Sequence, residues 1–169
     1  MDDGKLDALG QTIVGALPGA ALGHVVAFNQ LAVAVKAEKI VDVVRYLRDD
    51  PGCRFINITD ITAVDYPGRE KRFEVTYHLL SPTLNARIRL KAEADETTQV
   101  PSIIDVFPGA DWFEREAYDL YGVIFAGHPD MRRRSPRSST SSRAPTGTSA
   151  RPTTSTACCS PAIRTCAAS

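Results

Sequence analysis

Two neighbouring segments in the middle of the chain alternate between apolar and polar side chains. Residues 72–80 carry an apolar side chain at every second position, and residues 86–94 repeat the pattern around Ile88 and Leu90. A period of two is the pattern of a β-strand with one buried face. Antiparallel sheets commonly bury one face and leave the other polar. The two segments therefore predict an antiparallel pair with one covered face.

Segments with other patterns flank this pair. Helices are predicted over residues 6–17 and 36–50, where apolar residues recur at helical spacing and Pro-Gly follows. Strands are predicted over residues 25–35 and 54–65, which are rich in β-branched residues. A third helix is predicted at 112–121. This order predicts an α+β fold, a two-layer sandwich in which helices cover one face of a largely antiparallel sheet.

The third helix has clear predicted ends. Asp111 is a favourable N-cap, and Glu114 follows at the spacing of a capping box. Gly122 stands where a left-handed C-cap favours glycine. The predicted apolar stripe of this helix consists of Phe113, Ala117, Leu120 and Tyr121. We expect that stripe to face the core.

Charged residues are dense on the same helix, where Glu114, Arg115, Glu116 and Asp119 fall within six positions. Arg115 can reach Asp119 one turn later. One interpretation is a solvated helix face with favourable charge near the N-terminus. The other is a surface that docks a partner or orients the following loop.

The motif E-R-E-x-x-D-L-Y at residues 114–121 is followed by H-P-D-M-R at 128–132. Together they resemble the motif of the C subunit of the proton-pumping NADH:quinone oxidoreductase, respiratory complex I. D-Y-P-G-R at 65–69, P-S at 101–102 and P-G-A at 108–110 also resemble that family. The resemblance spans about residues 20–133. The family pattern then expects an aliphatic residue where this chain has Arg134.

The resemblance implies a peripheral-arm subunit of a complex I translocase, in which electrons pass from NADH through FMN and iron–sulfur clusters to a quinone such as ubiquinone. It implies a structural subunit with no catalytic, cofactor-binding or metal-binding residue, because FMN and the clusters belong to partner subunits. The residues implied to serve the motif and the contacts with other subunits are Glu114, Arg115, Glu116, Asp119, Leu120, Tyr121, Gly122, His128 and Arg132.

The resemblance also implies partners and a place in the cell. The partners would be other peripheral-arm subunits, especially the one at the quinone site. The protein would meet the membrane only through the complex. It would lie on the cytoplasmic side of a bacterial inner membrane, or on the matrix side of the mitochondrial inner membrane in a eukaryote. The N-terminal Met-Asp-Asp lacks the pattern of a secretory or transit signal, which favours a bacterial source.

Composition excludes several other classes. No run of about 18 apolar residues is present, so no transmembrane helix is predicted. Residues 1–131 hold 13 Lys and Arg against all 20 Asp and Glu, a net charge of −7 that disfavours nucleic-acid binding. Cys53 is the only cysteine before the tail, and the chain has no C-x-x-C pair. A zinc or iron–sulfur site is therefore not expected.

Two alternatives concern individual residues near the motif. His128-Pro129-Asp130 is also the tripeptide of J-domain co-chaperones, but a J-domain needs a long basic helix before it, and only four residues, 124–127, separate it from the matching segment upstream. His128 itself is expected to be a turn residue. An aromatic cluster of Trp112, Phe113, Tyr118 and Tyr121 resembles a quinone pocket in composition, although core or interface packing is the favoured interpretation.

The last part of the chain, residues 134–169, differs in composition from residues 1–133. Of residues 135–169, 16 are Ser or Thr and none is aromatic or acidic. Such a segment buries too little apolar surface to fold, and we expect it to be disordered. Our hypothesis is a shift of reading frame just before Arg134 in a GC-rich gene, and a natural Ser/Thr/Pro-rich linker is the alternative. The shifted tail would lower incorporation into the complex.

Overall fold

The computed structural model describes residues 3–131, so Arg132 and the predicted tail 134–169 lie outside the described residues. The helices are α1 (Asp3–Ala16), α2 (Ile40–Asp49, preceded by a 3-10 turn at Ala37–Lys39) and α3 (Ala110–Tyr121). The strands are β1 (Ala21–Ala27), β2 (Gln30–Lys36), β3 (Asn57–Asp65), β4 (Phe73–Ser81), β5 (Ala86–Ala94), β6 (Val100–Pro101) and β7 (Phe125–Ala126).

Five strands form the main sheet in the order β1-β2-β5-β4-β3. Three of the four pairings are antiparallel, and β2 with β5 is parallel. The short strands β6 and β7 pair separately in parallel. The α+β class and the largely antiparallel sheet predicted from the sequence are therefore confirmed.

The two faces of the sheet differ as the alternation predicts. The core face carries buried side chains on every strand, among them Leu31, Tyr77 and Leu90. α1 packs on this face, because Gly10 lies directly over Leu31. The opposite side, which we call the polar face, carries His78, Arg89 and their polar neighbours. Of the helices within residues 3–131, none has both the length and the apolar content needed to cross a membrane.

The predicted single strand over residues 25–35 is wrong, because the chain turns back in the middle of it. β1 and β2 form an antiparallel hairpin, in which Ala27 and Gln30 are the pair next to the turn. Phe28 and Asn29 form the turn with φ values of 52° and 58°. Positive φ at both central residues is the geometry of the turn that suits twisted hairpins. Without Gly or Pro at these positions, the sequence carries no strong turn signal.

The other elements lie close to their predicted positions. The predicted helix 36–50 is the 3-10 turn followed by α2, whose buried residues are Ile40, Val43, Val44 and Leu47. The predicted strand 54–65 begins later, at Asn57, because Arg54 adopts a positive φ of 46°. Arg72 closes the predicted turn between β3 and β4 by a bidentate ion pair with Asp65. Its Nε lies 2.6 Å from Oδ1 and its Nη2 lies 2.6 Å from Oδ2 of that carboxylate.

Gly10 of α1 is required by a close contact with a neighbouring histidine. The His24 ring lies against the helix, and its Nε2 is 2.9 Å from Asp7 Oδ1. A Cβ at Gly10 would stand 2.7 Å from His24 Cγ and 3.0 Å from Leu31 Cδ1. The ring would have to move, and its hydrogen bond to Asp7 would be strained.

We expect Gly10→Ala to lower the free energy of unfolding by about 1–2 kcal/mol, since overpacking outweighs the helix propensity of alanine. Urea denaturation measures this change. Gly15→Ala in the same helix is the matched control, because a Cβ there meets nothing within 4 Å. That control should be stabilised by up to about 1 kcal/mol. Equal effects of the two substitutions would contradict the proposed contact.

Candidate functional site

The start of α3 differs from the predicted capping box. The helix begins at Ala110 with Gly109 at the N-cap, and no side chain caps it. A backbone carbonyl of the preceding turn accepts the first N–H of the helix instead. The Ala110 N–H donates to the Phe107 carbonyl at 2.9 Å. Asp111 and Glu114 are therefore free to make other contacts, and both do.

Glu114 points into the protein and is completely buried. Its Oε1 accepts the Ile103 backbone N–H at 2.8 Å, and its Oε2 accepts the Ser102 hydroxyl at 2.6 Å. These bonds join α3 to the segment that follows β6. Burial raises the pKa of Glu114, although the two hydrogen bonds and His128 oppose the shift. A carboxylate expected on a solvated helix face is thus an internal link between two segments.

Tyr77 lies beneath this link on the core face of β4. Its side chain is fully buried, and within residues 3–131 its hydroxyl has no hydrogen-bond partner. Burial, together with the charge of Glu114, raises the pKa of Tyr77 well above its ordinary value. The phenol therefore stays protonated and neutral beside Glu114.

His128 closes the loop that follows α3. Its side chain is buried, and its Nε2 lies 3.2 Å from the Asp111 carbonyl oxygen and 3.1 Å from Asp111 Oδ1. The Asp130 backbone N–H donates to Nδ1 at 3.1 Å. Because Nδ1 accepts a hydrogen bond, the proton of the neutral ring is assigned to Nε2, which donates to Asp111. Both ring nitrogens are thus occupied by groups of this chain, and His128 lies buried directly after the turn at Gly127.

The outer side of α3 exposes two large apolar side chains among charges. We call the group formed by Trp112, Arg115, Glu116, Asp119 and Leu120 the α3 patch. Trp112 is 71% exposed and Leu120 is 69% exposed. The five residues line a shallow groove of about 220 Å³.

Arg115 lies within ion-pair distance of two carboxylates. It approaches Asp119 to 4.0 Å, as the spacing predicts, and Asp130 of the following loop to 3.5 Å. Together with His128, the second contact ties this loop to α3. All three side chains are more than half exposed, so the ion pairs orient Arg115 more than they stabilise the fold.

The predicted buried stripe of α3 is partly wrong. Its buried residues are Ala110, Glu114 and Ala117, and Phe113 packs against the core from a partly exposed position. Leu120 lies in the α3 patch, and Tyr121 is 40% exposed. Gly122 is the left-handed C-cap as predicted, with φ 77° and its N–H on the Tyr118 carbonyl at 2.9 Å.

Six of the nine predicted site residues therefore divide into two groups. Glu114 and His128 face inward, whereas the four predicted residues Arg115, Glu116, Asp119 and Leu120 face outward. Sequence reasoning missed Ser102 and Ile103 as the two donors to Glu114. Pro101-Ser102 contributes to the family resemblance, but no local pattern connects Ser102 to a residue 12 positions later.

The J-domain alternative is wrong. The residues between α3 and His128 form an extended segment that includes β7, so the long helix that a J-domain needs there is absent. In the described part of the chain, no group of three or more His, Cys, Asp or Glu side chains is placed to hold a metal ion. Cys53 is buried, and burial with Asp50 raises the pKa of its thiol to about 12.

The family model and the curated relatives agree on one family. The model of the family described as "Respiratory-chain NADH dehydrogenase, 30 Kd subunit" matches residues 33–140. The C subunit of NADH-quinone oxidoreductase from Rhodopseudomonas palustris (strain TIE-1) is 71% identical over 133 residues, which cover 79% of this chain and 65% of that protein. The same subunit from Methylobacterium radiotolerans is 56% identical over 131 residues, 78% of this chain and 61% of that protein.

The matched part of the chain is shorter than these relatives. It spans 65% of the length of the R. palustris protein and 61% of the M. radiotolerans protein. Among solved structures, a chain of the archaeal membrane-bound sulfane sulfur reductase, a respiratory membrane complex, is similar in fold and 30% identical. Its TM-score is 0.65, and the match covers 77% of this chain and 75% of that chain.

Proposed function

Since the chain belongs to the respiratory-chain NADH dehydrogenase 30 Kd subunit family, whose curated relatives are named as the C subunit of NADH-quinone oxidoreductase, we propose that it acts as a structural subunit of that enzyme. In this proposal the chain holds no cofactor. Electrons pass from NADH through FMN and iron–sulfur clusters in partner subunits to a quinone, coupled to proton translocation. The contribution of this chain is to position its neighbours.

The division of α3 into an inner and an outer side is the observation that carries the proposal. The inward groups that could titrate, Glu114 and His128, are engaged in hydrogen bonds that join segments of this chain. A catalytic group needs free access to a substrate. By contrast, the α3 patch presents a tryptophan and a leucine to solvent. Large exposed apolar side chains rimmed by charges are typical of a protein contact.

We assign the α3 patch to a neighbouring peripheral-arm subunit, with the subunit that forms the quinone site as the first candidate. The chain would then meet the membrane only through the assembled complex, on the cytoplasmic side of a bacterial inner membrane. The similar archaeal chain belongs to a membrane-bound respiratory complex, which supports the association with a membrane complex.

Affinity purification tests the proposal directly. An affinity-tagged copy of the full chain is expressed in a bacterium whose own gene for this subunit is deleted. We expect other subunits of NADH-quinone oxidoreductase to elute with it from solubilised membranes. The chain purified alone should show no flavin or iron–sulfur absorbance and no oxidation of NADH. Elution without any of those subunits, or a bound chromophore in the lone chain, would overturn the proposal.

The proposed frameshift adds a second arm to this experiment. A single-base correction before Arg134 should restore an aliphatic residue there and a folded continuation. The corrected chain is expected to recover more of the complex than the present one. If no single-base shift in the sequenced gene gives such a continuation, the frameshift hypothesis fails, and the proposed structural role is unaffected.

A further inference from the structure

The polar face of the sheet gathers positive charge on its central strand. Arg87, Arg89 and Lys91 alternate along β5 on this face, two residues apart, and Glu93 follows them at the end that lies away from Arg87. On β4, His78 stands directly opposite Arg89. The partner of Arg89 on β2 is Ala32, which carries no charge. The closest neighbours of Arg89 on the sheet are therefore basic or neutral.

The nearby acidic side chains do not neutralise Arg89. Glu74 is occupied by Lys91 at 2.8 Å and by Arg69 at 3.2 Å. Asp60 lies on β3, where it is the cross-strand partner of His78. Because β3 is two strands away from β5, the Asp60 and Arg89 backbones are separated by about 10 Å at ordinary strand spacing. Among residues 3–131, neither Arg87 nor Arg89 takes part in a salt bridge.

Arg89 also has an unused buried donor. Its Nε is shielded from solvent and, within the described residues, has no hydrogen-bond partner. A buried charged donor without an acceptor is costly. Residues 1–131 carry a net charge of −7, so a basic side chain without an acidic partner is unexpected there.

Arg89 also lines a pocket on the polar face. It has a volume of about 340 Å³, and its polar lining comes from Gln30, Thr59, His78, Arg87 and Arg89. The two guanidinium groups offer the forked donors that match a planar carboxylate, and the Gln30 amide adds another. Burial, together with the charge of Arg89, lowers the pKa of His78, so its ring is neutral near pH 7 and adds no repulsion toward Arg89.

We propose that this pocket binds a carboxylate, and that its occupant is an acidic side chain of a neighbouring subunit. The choice of occupant rests on the proposed function. The side chains of residues 132–169 are a poor match for this pocket, because they include seven Arg and no Asp or Glu. The pocket lies on the polar face, whereas the α3 patch belongs to a helix that packs beside β3. The two sites therefore predict two separate contacts.

The first test uses the full chain in solution with tetraglutamate peptide as the probe. The NMR signals of the His78 ring report binding at the pocket itself, apart from any binding to the arginine-rich tail. We expect saturable shifts, and Arg89→Gln should weaken the apparent affinity at least fivefold. Arg45→Gln, an exposed arginine on α2, is the matched control and should change nothing.

Three results would overturn the proposal. His78 signals that do not respond to the peptide would exclude a carboxylate site. An equal response in Arg89→Gln would exclude the assigned donor. A response to inorganic phosphate but not to the peptide would replace the carboxylate with a free anion.

The second test places the variant in the tagged chain used for purification. Arg87→Gln with Arg89→Gln should lower the recovery of at least one partner subunit at least fivefold, while Arg45→Gln should not. Unchanged recovery would overturn the neighbouring protein as occupant. If the unaltered chain binds the peptide but purifies without any other member of the complex, the proposed function fails, and the carboxylate pocket stands.

Discussion

Glu114→Ala is expected to lower the free energy of unfolding by about 3 kcal/mol or more. The substitution removes both acceptors of the link, so the Ile103 N–H is left buried without a partner and the Ser102 hydroxyl loses its acceptor. Each unsatisfied buried group costs about 1–3 kcal/mol, and the lost side-chain volume adds a cavity. Urea denaturation of the full chain near pH 7 measures the change.

Two controls make this result specific. Glu114→Gln keeps one oxygen for the Ile103 N–H and turns its amide toward Ser102, so it should cost less than Glu114→Ala. Glu116→Ala removes an exposed carboxylate from the same helix and should stay within about 0.5 kcal/mol of the parent. A loss for Glu116→Ala as large as that for Glu114→Ala would show that helix charge matters, and not the buried link.

The same residue predicts a pH dependence. The pKa of Glu114 is raised in the folded protein from its ordinary value of 4.5, because burial disfavours the charged form. The stability that protonated Glu114 contributes to the fold is therefore fully present below pH 4.5. It is lost as the pH rises through the higher pKa of the folded state. The stability of the parent relative to Glu114→Gln should fall over that range. A pH-independent difference in melting temperature between the two would contradict the shift.

Trp112→Ala should produce the largest loss of assembly. Trp112 is 71% exposed, so its removal leaves the fold intact, whereas tryptophan anchors often contribute more than about 2 kcal/mol to a protein contact. We expect recovery of the partner subunit to fall at least tenfold, which corresponds to about 1.4 kcal/mol. Quantitative mass spectrometry of the tagged complex measures the ratio.

Phe28→Ser is the matched control for this experiment. Phe28 is 97% exposed at the turn between β1 and β2, outside the α3 patch. If Phe28→Ser and Trp112→Ala lower recovery equally, the α3 patch is not the docking surface. Circular dichroism and urea denaturation of both variants ensure that neither loss arises from unfolding.

Pattern and periodicity were most successful where one periodic segment corresponds to one element. The alternation over residues 72–80 and 86–94 predicted β4 and β5, and helical spacing predicted α1 and α2. Prediction failed at the β1–β2 hairpin, because Phe28 is not a turn former and Asn29 is not followed by the Gly of the usual hairpin signal. The antiparallel pairing of β1 with β2 places both residues in the turn.

At the candidate site, too, the sequence predicted some features and missed others. The motif indicated the family and the position of α3. Gly122 ends this helix as a left-handed C-cap, as predicted. The motif did not show which side of α3 is buried. Leu120 and Tyr121 have the spacing of a buried stripe, yet Glu114 occupies the interior.

The amino-acid sequence by itself determined the α+β class, the location of the helices and most strands, and the membership of α3 in a recognisable motif. These properties depend on local periodicity and on residue spacing, which a linear chain contains in full. The tertiary structure alone decided that Glu114 is buried, that Trp112 and Leu120 are exposed, and that Arg89 has an unused donor. Each of these depends on partners distant in the chain, such as Ser102 or the neighbouring strands, and a buried polar group is tolerated only when such partners are brought to it.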